Sequence, residues 1–139
     1  MKDTAILLVE DDDVDAMSIE RSFSAYGAAN HLVRVRDGIE ALELLEDGSV
    51  QPPFIVLADI QMPRMNGVEL IAKIRQHPEA SDTVIFVLTT SRARRDITES
   101  YRHHVAGYFC KEDAGRNFEK VVGIVQQYRE LAMLPAVPQ

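Results

Sequence analysis

Three short, unbroken runs of β-type apolar residues, Ala5 to Val9, Phe54 to Ala58 and Val84 to Leu88, constrain this chain more than any other feature. A strand with one wet face alternates apolar and polar residues, so a continuous run requires cover on both faces. His31 to Val35 and Tyr108 to Cys110 are weaker versions of the same pattern. Between the runs the apolar spacing is helical. Val14, Met17, Ile19, Phe23 and Tyr26 predict a first helix ending at Gly27, and Ile39, Leu42, Leu44 and Leu45 a second before Asp47-Gly48. Val68, Leu70, Ile71 and Ile74 predict a third, stopped by His77-Pro78, while Ile97 and Tyr101 mark a short fourth. Phe118, Val121, Val122, Val125 and Tyr128 place a long fifth on one face. Five strands alternating with five helices predict an α/β fold, a doubly wound five-stranded parallel sheet with helices on both faces. Residues 1–132 are expected to form one domain, with 133–139 as a C-terminal tail.

The 139 residues carry a formal net charge of -7, which argues against nucleic acid or an anionic membrane as the main partner. A single cysteine, Cys110, excludes an internal disulfide, and no apolar run is long enough for a membrane span. The expected location is the cytoplasm, and Cys110 is expected to pack as a small hydrophobe.

In open parallel sheets, ligands bind at the carboxyl ends of the strands. Glu10 and Asp11 follow the first run, Asp59 the third, Thr89-Thr90 the fourth and Lys111 the fifth. Each alone reads as a loop or capping residue; together they bring three carboxylates, a hydroxyl and an ammonium to one edge. Such a set of like charges calls for a hard cation, and oxygen ligands suit Mg²⁺. Zinc is disfavoured because His31, His77, His103 and His104 have no ligand spacing. Asp11, Asp13 and Asp15 have the opening spacing of a calcium loop, but Ala16 and Ser22 stand where that loop needs Gly and Glu. Asp12, Asp13 and Asp15 read instead as first-turn acids favoured at a helix N-terminus.

The segments LLVEDD, LADIQMPRMNG, VLTTS and GYFCK, in this order, resemble the receiver domain of two-component response regulators. The resemblance covers nearly the whole chain and implies a flavodoxin-like (βα)5 fold. It implies that Asp59 accepts a phosphoryl group from a partner histidine kinase, and that Glu10, Asp11, Asp59 and the Gln61 backbone carbonyl hold Mg²⁺. Thr89 and Lys111 would bind the phosphoryl oxygens, and Tyr108 would be the aromatic switch residue, turning inward as the Thr89 loop is drawn in. Only self-phosphorylation and slow self-dephosphorylation are expected as catalysis. Two residues depart from the common pattern: Glu10 replaces Asp, and Glu112 follows Lys111 where most receivers have Pro.

The missing proline, His104-Val105 and the pattern VEDDDVDAMSIERSF are most similar to the single-domain regulators of phytochrome-type histidine kinases. Ile124, Leu131 and Leu134 lie off the predicted core face of the fifth helix. They predict a homodimer through that helix and the tail. Arg92, Arg94, Arg95 and Arg102 are expected as a solvated face of the fourth helix. The main rival reading is a haloacid-dehalogenase-like phosphohydrolase using Asp11, since Asp11-x-Asp13-Val14 after a strand resembles that family's first motif. It leaves Asp59-x-x-Met62-Pro63 unexplained.

Overall fold

The computed structural model describes residues 4–50 and 53–135. Strands β1 (Ala5–Val9), β2 (Leu32–Val35), β3 (Phe54–Ala58), β4 (Val84–Thr89) and β5 (Gly107–Cys110) form one sheet in the order β2-β1-β3-β4-β5. Every pairing is parallel. Helices α1 (Asp13–Ser24), α2 (Gly38–Glu46), α3 (Gly67–Gln76) and α4 (Arg94–Arg102) connect the strands, and α5 (Glu119–Leu131) follows β5. The order reverses between β1 and β3, so Glu10 and Asp59 emerge side by side at the switch point.

Unbroken apolar strands feed two cores. On one face Leu7, Val9, Val56, Ala58, Ile85 and Val87 pack with Leu70, Ile71 and Ile74 of α3 and Ala41 and Leu45 of α2. On the other, Ile6, Leu8, Ile55, Leu57 and Leu88 pack with Ile19 and Phe23 of α1 and Val121, Val122 and Val125 of α5. The order of elements and the two-sided cover follow the sequence-based expectation.

Several details do not. In α1, Val14 and Met17 are 72% and 57% exposed, and Tyr26, beyond the end of the helix, is also exposed, whereas Ala16, Ile19, Ser22 and Phe23 are buried. Three of these, Ala16, Ile19 and Phe23, share one core with Val121, Val122 and Val125 of α5. α1 ends at Ser24, and Gly27 follows in a turn with a φ of 71°. Phe118 lies before α5 rather than in it: Asn117 and Phe118 both adopt left-handed backbone, with φ of 55° and 58°. Such a conformation costs about 1–2 kcal/mol per non-glycine residue. The Ser22 hydroxyl donates to the Asn117 carbonyl at 2.7 Å and helps hold the turn. The short turns Lys111–Asp113 and Arg116–Phe118 make the connection from β5 to α5. Arg92 precedes α4 and pairs with Asp113 at 3.0 Å. Leu134 packs against the α1–α5 core instead of remaining on the surface, while Ile124 and Leu131 are 45% and 80% exposed. Cys110 is half-buried. Positions 136–139 of the expected tail lie outside the described residues.

Candidate functional site

The sheet ladder itself carries the two central acids. The Glu10 N–H donates to the Val35 carbonyl and the Asp59 N–H to the Val9 carbonyl, each at 3.0 Å, so both residues are fixed one step beyond a buried strand. Glu10 and Asp59 are both buried. Glu10, Asp11 and Asp59 each offer a carboxylate oxygen within 4.8 Å of the others, with Asp11 the most open to solvent.

Lys111, just past β5, binds this cluster. Its Nζ donates to Glu10 Oε1 at 2.7 Å, to Asp15 Oδ2 at 2.7 Å and to Asp59 Oδ2 at 2.9 Å. Burial alone would lower the pKa of the ammonium, but the hydrogen bonds to Asp15, Glu10 and Asp59 outweigh it and hold the pKa above its ordinary value. Burial pushes the Glu10 carboxyl up to about 7, against the hydrogen bond from Lys111 and reinforced by the charge of Asp59. One ammonium facing four acids leaves the cluster net negative. An all-oxygen donor set of this charge fits a hard divalent cation.

The loop after β3 is folded tightly onto Asp59. The Gln61 N–H donates to Asp59 Oδ1 at 2.9 Å and the Gly67 N–H to the Ile60 carbonyl at 3.1 Å. A Cβ at Gly67 would come within 2.6 Å of Ile60 Cα and 2.7 Å of the Asp59 carbonyl oxygen, so only glycine permits this approach. Arg64 Nε meets Asp37 Oδ2 at 3.0 Å, tying the loop to the N-terminus of α2.

At the end of β4, Thr89 is buried and its hydroxyl accepts the Ser91 N–H at 3.4 Å. The Tyr108 hydroxyl donates to the Ser91 carbonyl at 3.0 Å, and its ring packs against the α2–α3 core. In this arrangement Tyr108 is half-buried. Ser91 also donates to Asp96 of α4 at 2.6 Å. A segment of three residues thus joins Thr89, Tyr108 and α4.

Glu10, Asp11, Asp59 and Lys111 are brought together directly, with the Gln61 backbone beside them and Thr89 at the next strand end. Sequence reasoning missed three contributors. Asp15 reaches Lys111 rather than serving only as a first-turn acid. Asp13 meets Arg34 at 3.0 Å and Arg36 at 2.9 Å rather than standing free in water. Thr90 donates its hydroxyl to the Gln61 side chain, bridging the loops after β3 and β4. The VEDDDVD cluster contained the first two, but their partners lie far along the chain.

Residues 6–122 match the response regulator receiver domain family. The response regulator Rcp1 of Synechocystis is 33% identical over 137 residues, covering 94% of this chain and 92% of that protein. A probable methanogenesis regulatory protein, FilR2, of Methanothrix harundinacea is 32% identical over 126 residues, covering 88% of this chain and 81% of that protein. Among solved structures, the phosphorylated cyanobacterial phytochrome response regulator RcpA is similar with a TM-score of 0.85 and 29% identity, over 96% of this chain and 99% of that one. The Mn²⁺-bound form of Rcp1 gives a TM-score of 0.81 and 30% identity over the same shares.

Proposed function

This chain belongs to the response regulator receiver family, whose general function is to be phosphorylated by a histidine kinase, and we propose that Asp59 is the residue that takes the phosphoryl group. The observation that carries the assignment is the buried Asp59 carboxylate, held at the sheet edge by Lys111 on one oxygen and the Gln61 N–H on the other. The acceptor is aimed before any donor arrives, which is the positioning that phosphoryl transfer needs.

An Asp59 oxygen attacks the phosphorus of a phosphohistidine. The new P–O bond forms as the P–N bond breaks, and the imidazole leaves with the electron pair and takes up a proton. Lys111 swings an N–H from Asp59 to an oxygen of the transferred group. The Thr89 hydroxyl rotates from the Ser91 N–H to donate to another. Ser91 moves with that change, and Tyr108 and Asp96, both bonded to Ser91, carry it to β5 and α4.

Receiver domains bind a divalent metal. Here the ion is Mg²⁺, with Glu10, Asp11, Asp59 and the Gln61 carbonyl as the residues to hold it. Bound there, it supplies neutralisation of charge on the phosphoryl oxygens. Members of the family signal rather than act as general catalysts; self-phosphorylation from small donors and slow self-dephosphorylation follow from the same groups. The hydrolase reading with Asp11 as nucleophile is disfavoured, because Lys111 grips Asp59 and not Asp11.

The receiver domain spans 1–132, with 133–139 as its tail, and works in the cytoplasm; among the described residues no helix is long and apolar enough to cross a membrane. The partner is a phytochrome-type histidine kinase, a reading supported by the likeness to RcpA. Exposed Ile124 and Leu131 on α5 support a homodimer through that helix and the tail. Sedimentation at micromolar concentration is expected to show a dimer that Leu131→Glu dissociates; a monomer for both the free and the phosphorylated wild type contradicts it. Incubation with a labelled phytochrome-type kinase is expected to label the wild type within minutes and leave Asp59→Asn unlabelled. Equal labelling of the two refutes the assignment.

A further inference from the structure

We propose that Asp15 is a positioning residue that holds Lys111 by one of its three N–H groups and withholds part of its charge from the group bound at Asp59. The proposal rests on Asp59 being the acceptor. It starts from a contact across the fold: Asp15 Oδ2 lies 2.7 Å from Lys111 Nζ, as close as Glu10 and closer than Asp59 at 2.9 Å. An ammonium has three N–H donors, and these three carboxylates engage all of them.

Asp15 is built to stay in place. It sits in the first turn of α1, where its N–H donates to the Asp12 carboxylate at 2.9 Å. The Asp12 N–H in turn donates to Glu10 Oε2 at 3.2 Å, which fastens this turn to the site. Its side chain is 28% exposed, so solvent weakens its pull on Lys111 without abolishing it.

The three bonds differ in what they can do once Asp59 is phosphorylated. The N–H on Asp59 can follow the charge onto a phosphoryl oxygen. The N–H on Asp15 cannot reach both, and the Asp15 charge remains beside the ammonium as the site gains negative charge. Asp15 therefore favours the unphosphorylated arrangement, and removing its charge should release Lys111 to grip the phosphoryl group more firmly. Asp13 provides an internal control. It carries the same charge in the same helical turn, but its carboxylate is engaged by Arg34 and Arg36.

The test uses beryllofluoride, a phosphoryl analogue, titrated calorimetrically into the whole chain at saturating Mg²⁺. Asp15→Asn keeps an oxygen acceptor and removes the charge, and is expected to tighten beryllofluoride binding about 5-fold, with the gain shrinking at high salt. Asp13→Asn is expected to change it less than about 2-fold, and so is Asp15→Glu, which keeps the charge. The Lys111 ammonium resonance in ¹H–¹⁵N spectra should shift in Asp15→Asn and not in Asp13→Asn. Unchanged or weaker binding by Asp15→Asn overturns the proposal, as does an equal gain from Asp13→Asn. A wild type that binds no beryllofluoride overturns the Asp59 assignment instead, and this proposal with it.

Discussion

Two cations mark opposite ends of the sheet. At the carboxyl edge Lys111 donates to three carboxylates, Glu10, Asp15 and Asp59. At the amino edge, among the described residues, Arg75 donates to backbone carbonyls: His103 at 2.7 Å, Ser81 at 2.9 Å, Thr83 at 2.7 Å and His104 at 3.1 Å. Arg75 closes the C-terminal end of α4, where His104 takes a left-handed φ of 64°, and ties it to α3 and to the entry of β4. Its neutral partners have nothing to exchange, so the contact is a fixed tie. Lys111 holds like charges together that would otherwise repel, and under the proposed function its partners differ in what happens to them once Asp59 is phosphorylated. The same chemistry of donation therefore makes a fastening at one edge and a movable contact at the other.

Substitutions can break that contrast. The largest stability effect is expected for Arg75→Ala, which strands several carbonyls. We expect a loss of about 3 kcal/mol and a fall of about 8 °C in thermal melting, with Mg²⁺ affinity changed less than about 2-fold. A loss of Mg²⁺ binding there would erase the distinction between the two ends. Asp11→Ala should weaken Mg²⁺ about 10-fold in a metal titration, while Asp13→Ala, a residue committed to Arg34 and Arg36, should cost less than about 2-fold. Equal losses would mean that bulk charge, not the ligand set, attracts the cation. Lys111→Met should do the reverse of Asp11→Ala and tighten Mg²⁺ about 5-fold, because the competing ammonium is gone, while beryllofluoride binding weakens. If Lys111→Met instead lowers the melting temperature and leaves Mg²⁺ affinity alone, Lys111 is a tie of the Arg75 kind.

What was legible in the sequence divides along similar lines. The strands could be read because burial on both faces leaves unbroken runs such as Phe54–Ala58, and the acids because they stand at the ends of those runs. A local signal also marked the end of α3, where His77-Pro78 follow the last turn; the cap at its start, Asn66 accepting the Glu69 N–H, was not read. The contacts of Asp15 with Lys111 and of Arg75 with His103 join residues far apart in sequence, and no local pattern encodes them. The burial of Ala16 and Ser22 in place of Val14 and Met17 is likewise decided by what α1 meets, namely α5 and the turn at Asn117. The left-handed Phe118 carries no residue-type signal, since glycine is the usual occupant of that backbone region.

The central claim, that the phosphoryl group is carried by the carboxylate that Lys111 and the Gln61 N–H hold, is open to one direct measurement. The protein is incubated with acetyl phosphate and Mg²⁺, trapped by borohydride reduction of the acyl phosphate, digested and mapped by mass spectrometry. The account predicts a single reduced aspartate at Asp59 and none in Asp59→Asn, which should retain its fold. Reduction at Asp11, or undiminished labelling of Asp59→Asn, would contradict it.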